Sequence, residues 1–407
     1  MMAGIQAALK LGCGKGIAIF ETNDTLGKKL LLTGKGRCNI TNMCSLDEFL
    51  EKFDKNGQFL RGCFRSFFVP ELIEFFQAYG LEMKQERQGR VFPVTDNAQS
   101  VVDVLRRVLK DKGVYLYLNS QVSQIMADEG CVKGVVLEDG CSILSDRVIV
   151  ASGGASYPET GSKGDGTRMA HALGHKVEAL IPGLVPLQAR ESFVKEVQGL
   201  VLKNVRVTFY IGSKKIQTPI GEVLFTHFGI SGPLILDASV SLCKLAAQKG
   251  SFTAAIDLKP GLSAEQIDKK LQSEFQEFGA IMIKNYFKEL LPKKMIDLFL
   301  KRLNINGETK LSRLSAPERR KIVEQLKGFS LTIEKPLPLS QAMVTQGGVS
   351  LKEVNPDTME SRKVKGLYFC GEVLDLAASS GGFNLQAAFS TGYVAGYAAA
   401  TAHQLCQ

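Results

Sequence analysis

Tryptophan is absent from the 407 residues, and histidine occurs only at 171, 175, 227 and 403. So few imidazoles, with no carboxylate set beside them, do not make a metal centre, and none is expected. No run approaches 18 apolar residues, which excludes a membrane-spanning helix; the first residues show neither the basic leader nor the cleavage pattern of a secretory signal. There is no Cys-x-x-Cys pair. The nine cysteines (13, 38, 44, 63, 131, 141, 243, 370, 406) are odd in number, which argues against a disulfide framework or zinc ribbon and for a reducing cytoplasm. A block of like charge is missing too. Fifty Lys and Arg against 41 Asp and Glu give a net +9, scattered along the chain rather than gathered into an arm. That pattern does not favour a nucleic-acid binder, and an anionic cofactor suits it equally well.

What the chain has in quantity is glycine, 40 residues. Met1–Lys10, MMAGIQAALK, reads as a small-residue helix closed by Gly12 and Gly14. Ile17–Glu21, IAIFE, reads as a buried parallel strand ending in a carboxylate. Residues 45–110 read as mainly helical, with Phe64, Phe67, Phe68, Phe75 and Phe76 forming a core face. Residues 114–150 read as a strand and hairpin series ending in the strand Arg147–Ala151. Residues 184–258 read as β and 262–330 as Lys/Glu-rich helices. A β return (Met343–Val349), a strand (Gly366–Cys370), a glycine-rich turn and a last small-residue helix (Asn384–Ala402) complete the chain.

Four stretches carry chemistry. The first is the opening helix with IAIFE. In a dinucleotide-binding βαβ unit a carboxylate at the end of the second strand, about 20 residues beyond the glycine loop, accepts from ribose hydroxyls. Glu21 stands at such a strand end, and counting back lands at Met1, so the first strand and the GxGxxG loop are missing from the sequence as given. Any buried strand can end in Glu, so this signal is weak alone. The second is VIVASGG, Val148–Gly154, a strand opening onto small residues beside which a dinucleotide can pass. The third is GLYFCGEVLDLAASSGGFNLQAAFSTG, residues 366–392. There a glycine pair exposes backbone N–H groups at a helix N-terminus, where the dipole favours negative charge. The fourth is the polar loop TGKGRCNITN, residues 33–42.

These stretches, together with GGASYPETGSKGDGTRMAHALGH, GEVLFTHFGISGP and TQGGVSLKEVNPDTMESRKVKGLYFCGEVLD, resemble the aminoacetone-oxidase-like or BaiN-like family of FAD-dependent oxidoreductases over nearly the whole chain. The resemblance implies an α/β fold of the two-dinucleotide-binding (Rossmann-like) type. Its FAD domain would be discontinuous, 1–183 with 341–407, around a β-rich insert at 184–261 and a helical insert with a return strand at 262–340. Carried onto this sequence, it implies that Glu21 holds the adenosine ribose and that Val122 meets adenine through its backbone. Lys29, Arg37, Cys38 and Asn39 would lie along the flavin side. Gly153 and Gly154 would flank the dinucleotide, Gly371, Glu372 and Asp375 would face the pyrophosphate or ribityl, and Gly382, Asn384 and Leu385 the flavin ring.

One branch of the family resembles bile-acid 3-oxo-Δ4/Δ6 reductases. The implied activity is transfer of hydride from NADH or NADPH, by way of FAD, to an enone such as a steroid intermediate. The alternatives are a flavin-dependent amine or aminoketone oxidase, and a flavin- or RNA-binding protein without turnover. His227, the only histidine within a motif, is a proton-donor candidate, with satisfaction of a turn an equal reading. Cys38 and Cys370 read first as packed thiols. The partner expected is a small molecule, with no membrane span and no nucleic acid; substrate and oligomeric state stay open. A natural product longer by about a dozen residues, a strand plus a glycine turn ahead of MMAGIQAALK, is also expected.

Overall fold

The computed structural model describes residues 1–404. Helix α1 (Met2–Leu11) ends where Gly12 turns left-handed at φ 77° and gives its N–H to Leu9. Next come β1 (Ala18–Phe20), α2 (Lys28–Leu32), β2 (Thr41–Asn42), α3 (Leu46–Glu51), α4 (Arg61–Ser66) and α5 (Val69–Ala78). They are followed by β3 (Met83–Gln85), β4 (Arg90–Pro93), α6 (Ala98–Asp111), β5 (Tyr115–Tyr117), β6 (Val122–Asp128), β7 (Cys131–Leu137) and β8 (Ser142–Leu144). Strand β9 (Val148–Val150), α7 (Asp165–Ala172) and β10 (Val177–Gly183) complete the first stretch. The middle holds β11 (Leu187–Ala189), β12 (Val201–Ile211), β13 (Lys214–Gln217), β14 (Gly221–Phe225), β15 (Gly229–Ser231), α8 (Pro233–Lys249) and β16 (Phe252–Asp257). It continues with α9 (Ala264–Glu277), α10 (Ile283–Leu290), α11 (Lys293–Leu303), α12 (Ala316–Lys327) and β17 (Phe329–Pro336). The end holds β18 (Val344–Val349), β19 (Leu367–Phe369) and α13 (Phe383–Gln404).

The chain folds as two compact units. Unit 1 joins Met1–Gly183 to Leu339–Gln407, and unit 2 is Leu184–Pro338. In unit 1 the parallel strands form two separate pairs: β1 with β5 (Ala18 opposite Tyr115) and β9 with β19 (Val148 opposite Leu367). A meander β6-β7-β8 and an antiparallel pair β10-β18 complete this part. Helices α1 and α13 cross closely because Gly396 carries no Cβ, which would overlap the backbone of Ala3. The aromatics of residues 49–76 are core: Phe49 is fully buried and packs edge-on against Phe64, Phe68 and Phe383.

Unit 2 is a seven-stranded antiparallel sheet in the order β13-β12-β14-β15-β11-β17-β16, closed by pairing of β12 with β16. Closure leaves β12 to β17 without an open edge between them, the usual protection against strand-edge association. Helices α9 to α12 pack on it around Phe275, Phe287, Phe299 and Phe329. Serine caps open α9 and α12 through capping boxes, Ser263 with Gln266 and Ser315 with Glu318.

Three features differ from the sequence reading. A small antiparallel sheet, β2-β4-β3, interrupts the stretch that periodicity assigned to helix. Residues 233–249, inside the stretch assigned to β, form α8; Pro233 at its first turn presets the helical φ after Gly232. The helical insert returns through β17, which pairs with β11 and β16, so the β-rich and helical stretches share one sheet.

Candidate functional site

The carboxyl ends of the parallel strands in unit 1 collect the glycines and carboxylates singled out in the sequence. That is where α/β sheets bind ligands. Glu21 follows β1, Gly153–Gly154 follow β9, and Gly371–Glu372 follow β19. The chain opens to solvent abruptly at one of these ends: Val150 is 5% exposed, whereas Ala151 and Ser152 are both exposed. A polar knot ties these ends together. Lys29 Nζ donates to Glu372 Oε2 at 2.5 Å and to Ser156 Oγ at 2.7 Å. Glu372 Oε1 accepts the Thr345 N–H at 2.7 Å, and Thr345 Oγ1 accepts the N–H groups of Ala155 (2.8 Å) and Ser156 (3.1 Å). On the other side Glu21 Oε1 accepts from the backbone N and side-chain Nδ2 of Asn23, which also donates to the Thr160 carbonyl.

The glycine-rich turn before α13 has its own fastening. Asn384 Oδ1 accepts the Ala378 N–H at 2.9 Å and its Nδ2 returns to the Ala378 carbonyl at 3.0 Å. The Asn384 amide therefore shapes the turn. Gly382 sits at φ 99° against the backbone of Thr41, where any Cβ would overlap. Thr41 Oγ1 and Gln386 Oε1, on fully buried residues, have no partner among the described residues. Leu385 is half-buried against the α1–α6 core. Asp375 is held by Asn56 Nδ2, which donates to its carbonyl at 2.7 Å and to Oδ2 at 3.2 Å. Val122 opens β6 opposite Leu137.

Other expected residues are otherwise engaged. Arg37 stacks 4.2 Å over the Phe92 ring and forks to Glu86 and Asp96, which raises its already high pKa. Cys38 is fully buried, and burial pushes its thiol up to about 12; it is a protonated, packed thiol. Asn39 Oδ1 accepts the Val91 N–H at 3.1 Å, fixing the loop to β4. His227 is described with unit 2, exposed in the turn between β14 and β15, its ring edge-on to Phe228. His175 is buried and bonded to Ala170 and Ser361, and burial lowers its pKa. The side chain of His403 and the whole of Cys406 lie outside the described residues.

Sequence reasoning passed over Asn23, Asn56, Ser156 and Thr345, the residues that tie the site together. Ser156 and Thr345 lay inside quoted motifs. Their roles come from partners 27 to 216 positions away.

The family model for the HI0933-like protein Rossmann domain matches residues 1–398. The chain belongs to that family. It is an FAD-dependent oxidoreductase by family. It is 33% identical over 405 residues to a 3-dehydro-bile acid Δ4,6-reductase of Clostridium scindens, covering 98% of this chain and 97% of the relative. It is 29% identical to ribosomal RNA dihydrouridine synthases of Haemophilus influenzae, covering 96% of this chain and 94% of the relative, and of Escherichia coli, covering 95% and 92%. Among solved structures, the fold is similar to a quinol–fumarate reductase with menaquinol (TM-score 0.51, 15% identity, 100% of this chain, 70% of that one). It is also similar to 3-ketosteroid Δ1-dehydrogenase of Sterolibacterium denitrificans (TM-score 0.50, 14% identity, 98% and 97%).

The residues present fit FAD. An acceptor carboxylate ends β1, bare glycine backbone follows β9 and β19, and a helix N-terminus stands behind the Gly381–Gly382 turn, beside the orphaned Thr41 and Gln386 oxygens. Among the described residues no helix is long and apolar enough to cross a membrane.

Proposed function

We propose that the protein reduces a carbon–carbon double bond conjugated to a carbonyl, with NADH or NADPH as the electron source. The observation that carries this reading is the convergence of the three strand ends on one polar knot with an acceptor at one side and a helix N-terminus at the other. The names of the relatives support the reaction type. A Δ4,6 bond of a 3-oxo steroid and the C5=C6 bond of uracil are both alkenes conjugated to a ring carbonyl. A steroid of the bile-acid class is the first candidate substrate, and a uracil base in RNA the second.

FAD, when bound, supplies a two-electron hydride store. The remaining work is the protein's. Glu21 accepts from ribose hydroxyls, with Asn23 fixing its orientation, and the backbone of Val122 meets adenine. Gly153, Gly154 and Gly371 leave room for the dinucleotide, and Lys29, held by Glu372 and Ser156, lies along its flavin side. The first amides of α13, shaped by Gly382, Asn384 and Leu385, face the flavin edge where negative charge develops on reduction. Arg37, Cys38 and Asn39 hold the loop beside it, and Asp375 the ribityl side. The proton-donor candidate for the substrate α-carbon is His227. Unit 1 is assigned to FAD and unit 2 to substrate selection.

The test is anaerobic. The yellow protein should bleach on NADH or NADPH and regain its colour with a conjugated enone. Bleaching by an amine with reoxidation by oxygen once it is admitted, and no enone turnover, overturns the proposal.

A further inference from the structure

Segment 155–161, ASYPETG, runs between the two halves of the proposed site and is fastened at both ends. At one end Thr345 Oγ1 holds the N–H groups of Ala155 and Ser156, and Ser156 Oγ accepts from the Lys29 ammonium beside Glu372. At the other end the Thr160 carbonyl accepts from Asn23, the residue that holds Glu21. Gly161 lies so near that amide that a Cβ would come within 2.6 Å of Asn23 Nδ2. Glu372 is assigned to the pyrophosphate or ribityl side and Glu21 to the adenosine ribose. A strap tied to both crosses the stretch between them, which in FAD is the diphosphate.

Tyr157 stands in the middle of this strap. Among the described residues it is the only aromatic with a left-handed backbone, at φ 51° and ψ 63°. A bulky residue is strained there, and Pro158 adds to the strain, because a proline pushes the residue before it toward extended backbone. The strap sustains this conformation itself. The Thr160 N–H and the Thr160 hydroxyl both donate to the Tyr157 carbonyl, at 2.8 and 2.7 Å. Strain of this kind collects at ligand clamps and switches.

The side chain is as unusual as the backbone. Tyr157 is half-buried, yet its ring forms no aromatic pair and its hydroxyl no hydrogen bond among the described residues. Phenols that are buried ordinarily find a partner. Burial raises the pKa, and Glu159 adds to the shift, so near neutral pH the hydroxyl is a neutral donor. An anionic oxygen is the acceptor that suits it best.

We infer that Tyr157 is a cofactor-binding residue whose hydroxyl donates to the diphosphate of FAD, carried there by the strap 155–161 with Thr160 as its positioning residue. This rests on the FAD-site assignment above and is independent of which double bond is reduced.

The full chain is titrated with FAD by flavin fluorescence, and with ADP, which carries the adenosine and the diphosphate without the flavin, by displacement of FAD. Tyr157→Phe should weaken both by the same factor, at least about tenfold, the loss of one hydrogen bond to a charged group. The melting temperature of the cofactor-free variant should match wild type, since the hydroxyl has no partner there to lose. Thr160→Val should weaken both ligands severalfold, Thr160→Ser should restore them, and Thr160→Val should add nothing in the Tyr157→Phe background. Unchanged affinity of Tyr157→Phe for FAD and ADP overturns the assignment. So does a melting temperature of the cofactor-free variant that falls with the affinity, which would give the hydroxyl to the fold. Unchanged affinity with slower reoxidation by 2-cyclohexen-1-one overturns it in favour of a contact with substrate. Failure of wild type to bind FAD or ADP, or equal binding by Glu21→Ala, sinks the cofactor site itself and Tyr157 with it. Loss of enone turnover with FAD binding intact sinks only the reduction reading and leaves Tyr157 judged by the two affinities.

Discussion

Unit 1 is electrically neutral and unit 2 carries +9, yet the two are built from similar fractions of charged residues. In unit 1, near the proposed site, cations are matched locally: Lys29 by Glu372, Arg37 by Glu86 and Asp96. In unit 2 several, among them Lys310 and Arg313, are exposed with no ion-pair partner among the described residues. The sheets differ in the same sense. Unit 1 keeps short strand pairs whose carboxyl ends open onto a polar knot, and unit 2 closes its strands upon each other. The lesson is that a chain-wide net charge averages two unlike surfaces, one organised to hold a single ligand by specific bonds and one organised as a field.

That contrast can be broken by mutation. The largest effect is expected from Glu372→Ala, which strands Lys29 and the Thr345 N–H in a partly buried place. A loss toward the lower end of the about 3–5 kcal/mol seen for broken buried pairs should lower melting temperature and strip FAD. Unchanged FAD content in this variant would remove the Lys29–Glu372 pair from the cofactor site. Next, Thr345→Val leaves the Ala155 and Ser156 amides without their acceptor, about 1–3 kcal/mol each where buried, and Thr345→Ser should restore FAD retention. Equal FAD loss in both variants would show that the hydroxyl is irrelevant. Glu21→Ala should weaken FAD by about 1–3 kcal/mol, read as a rise in Kd by flavin fluorescence. Unchanged affinity removes Glu21 from the site.

The fourth effect is a pH dependence belonging to unit 1. His175 is buried and its folded pKa is lowered, so the unfolded chain binds the extra proton. Its contribution is complete above about 6.5 and is lost as the pH falls through that value toward the folded pKa. Melting temperature should drop over that window in wild type and less in His175→Gln. A parallel drop in both traces the effect elsewhere. The smallest effect is expected from Cys38→Ala. With the thiol raised to about 12, flavin reduction and reoxidation rates should stay within about twofold of wild type. A large change would make Cys38 a redox participant.

The site was partly legible because its signals are local. Glycine pairs after apolar strands and a carboxylate at a strand end are local patterns, so Glu21, Gly153, Gly371 and Glu372 were singled out from spacing and resemblance, and the structure places each just after a strand. Asn384 was found for the right turn, but its amide is spent on Ala378, two ends of one turn that no pattern links. Arg37 looks like an anion-binding arginine in TGKGRCN until Glu86 and Asp96, some fifty positions on, claim its fork. Helix α8 was missed because Leu234, Ile235 and Leu236 form a short apolar run between β-like stretches, and apolar runs alone do not separate helix from strand.

The sequence by itself determined the family, the oxidoreductase class, the opening and closing helices, and which strand ends bear glycine and carboxylate. These depend on short-range backbone requirements written in adjacent residues. Only the tertiary structure decided that Thr345 and Ser156 tie Glu372 to Lys29, and that β17 returns to the sheet begun by β11. It alone decided that every net positive charge falls in one unit. Hydrogen bonds, desolvation and electrostatic fields act through space, and the partners they join here lie tens to hundreds of residues apart in the chain.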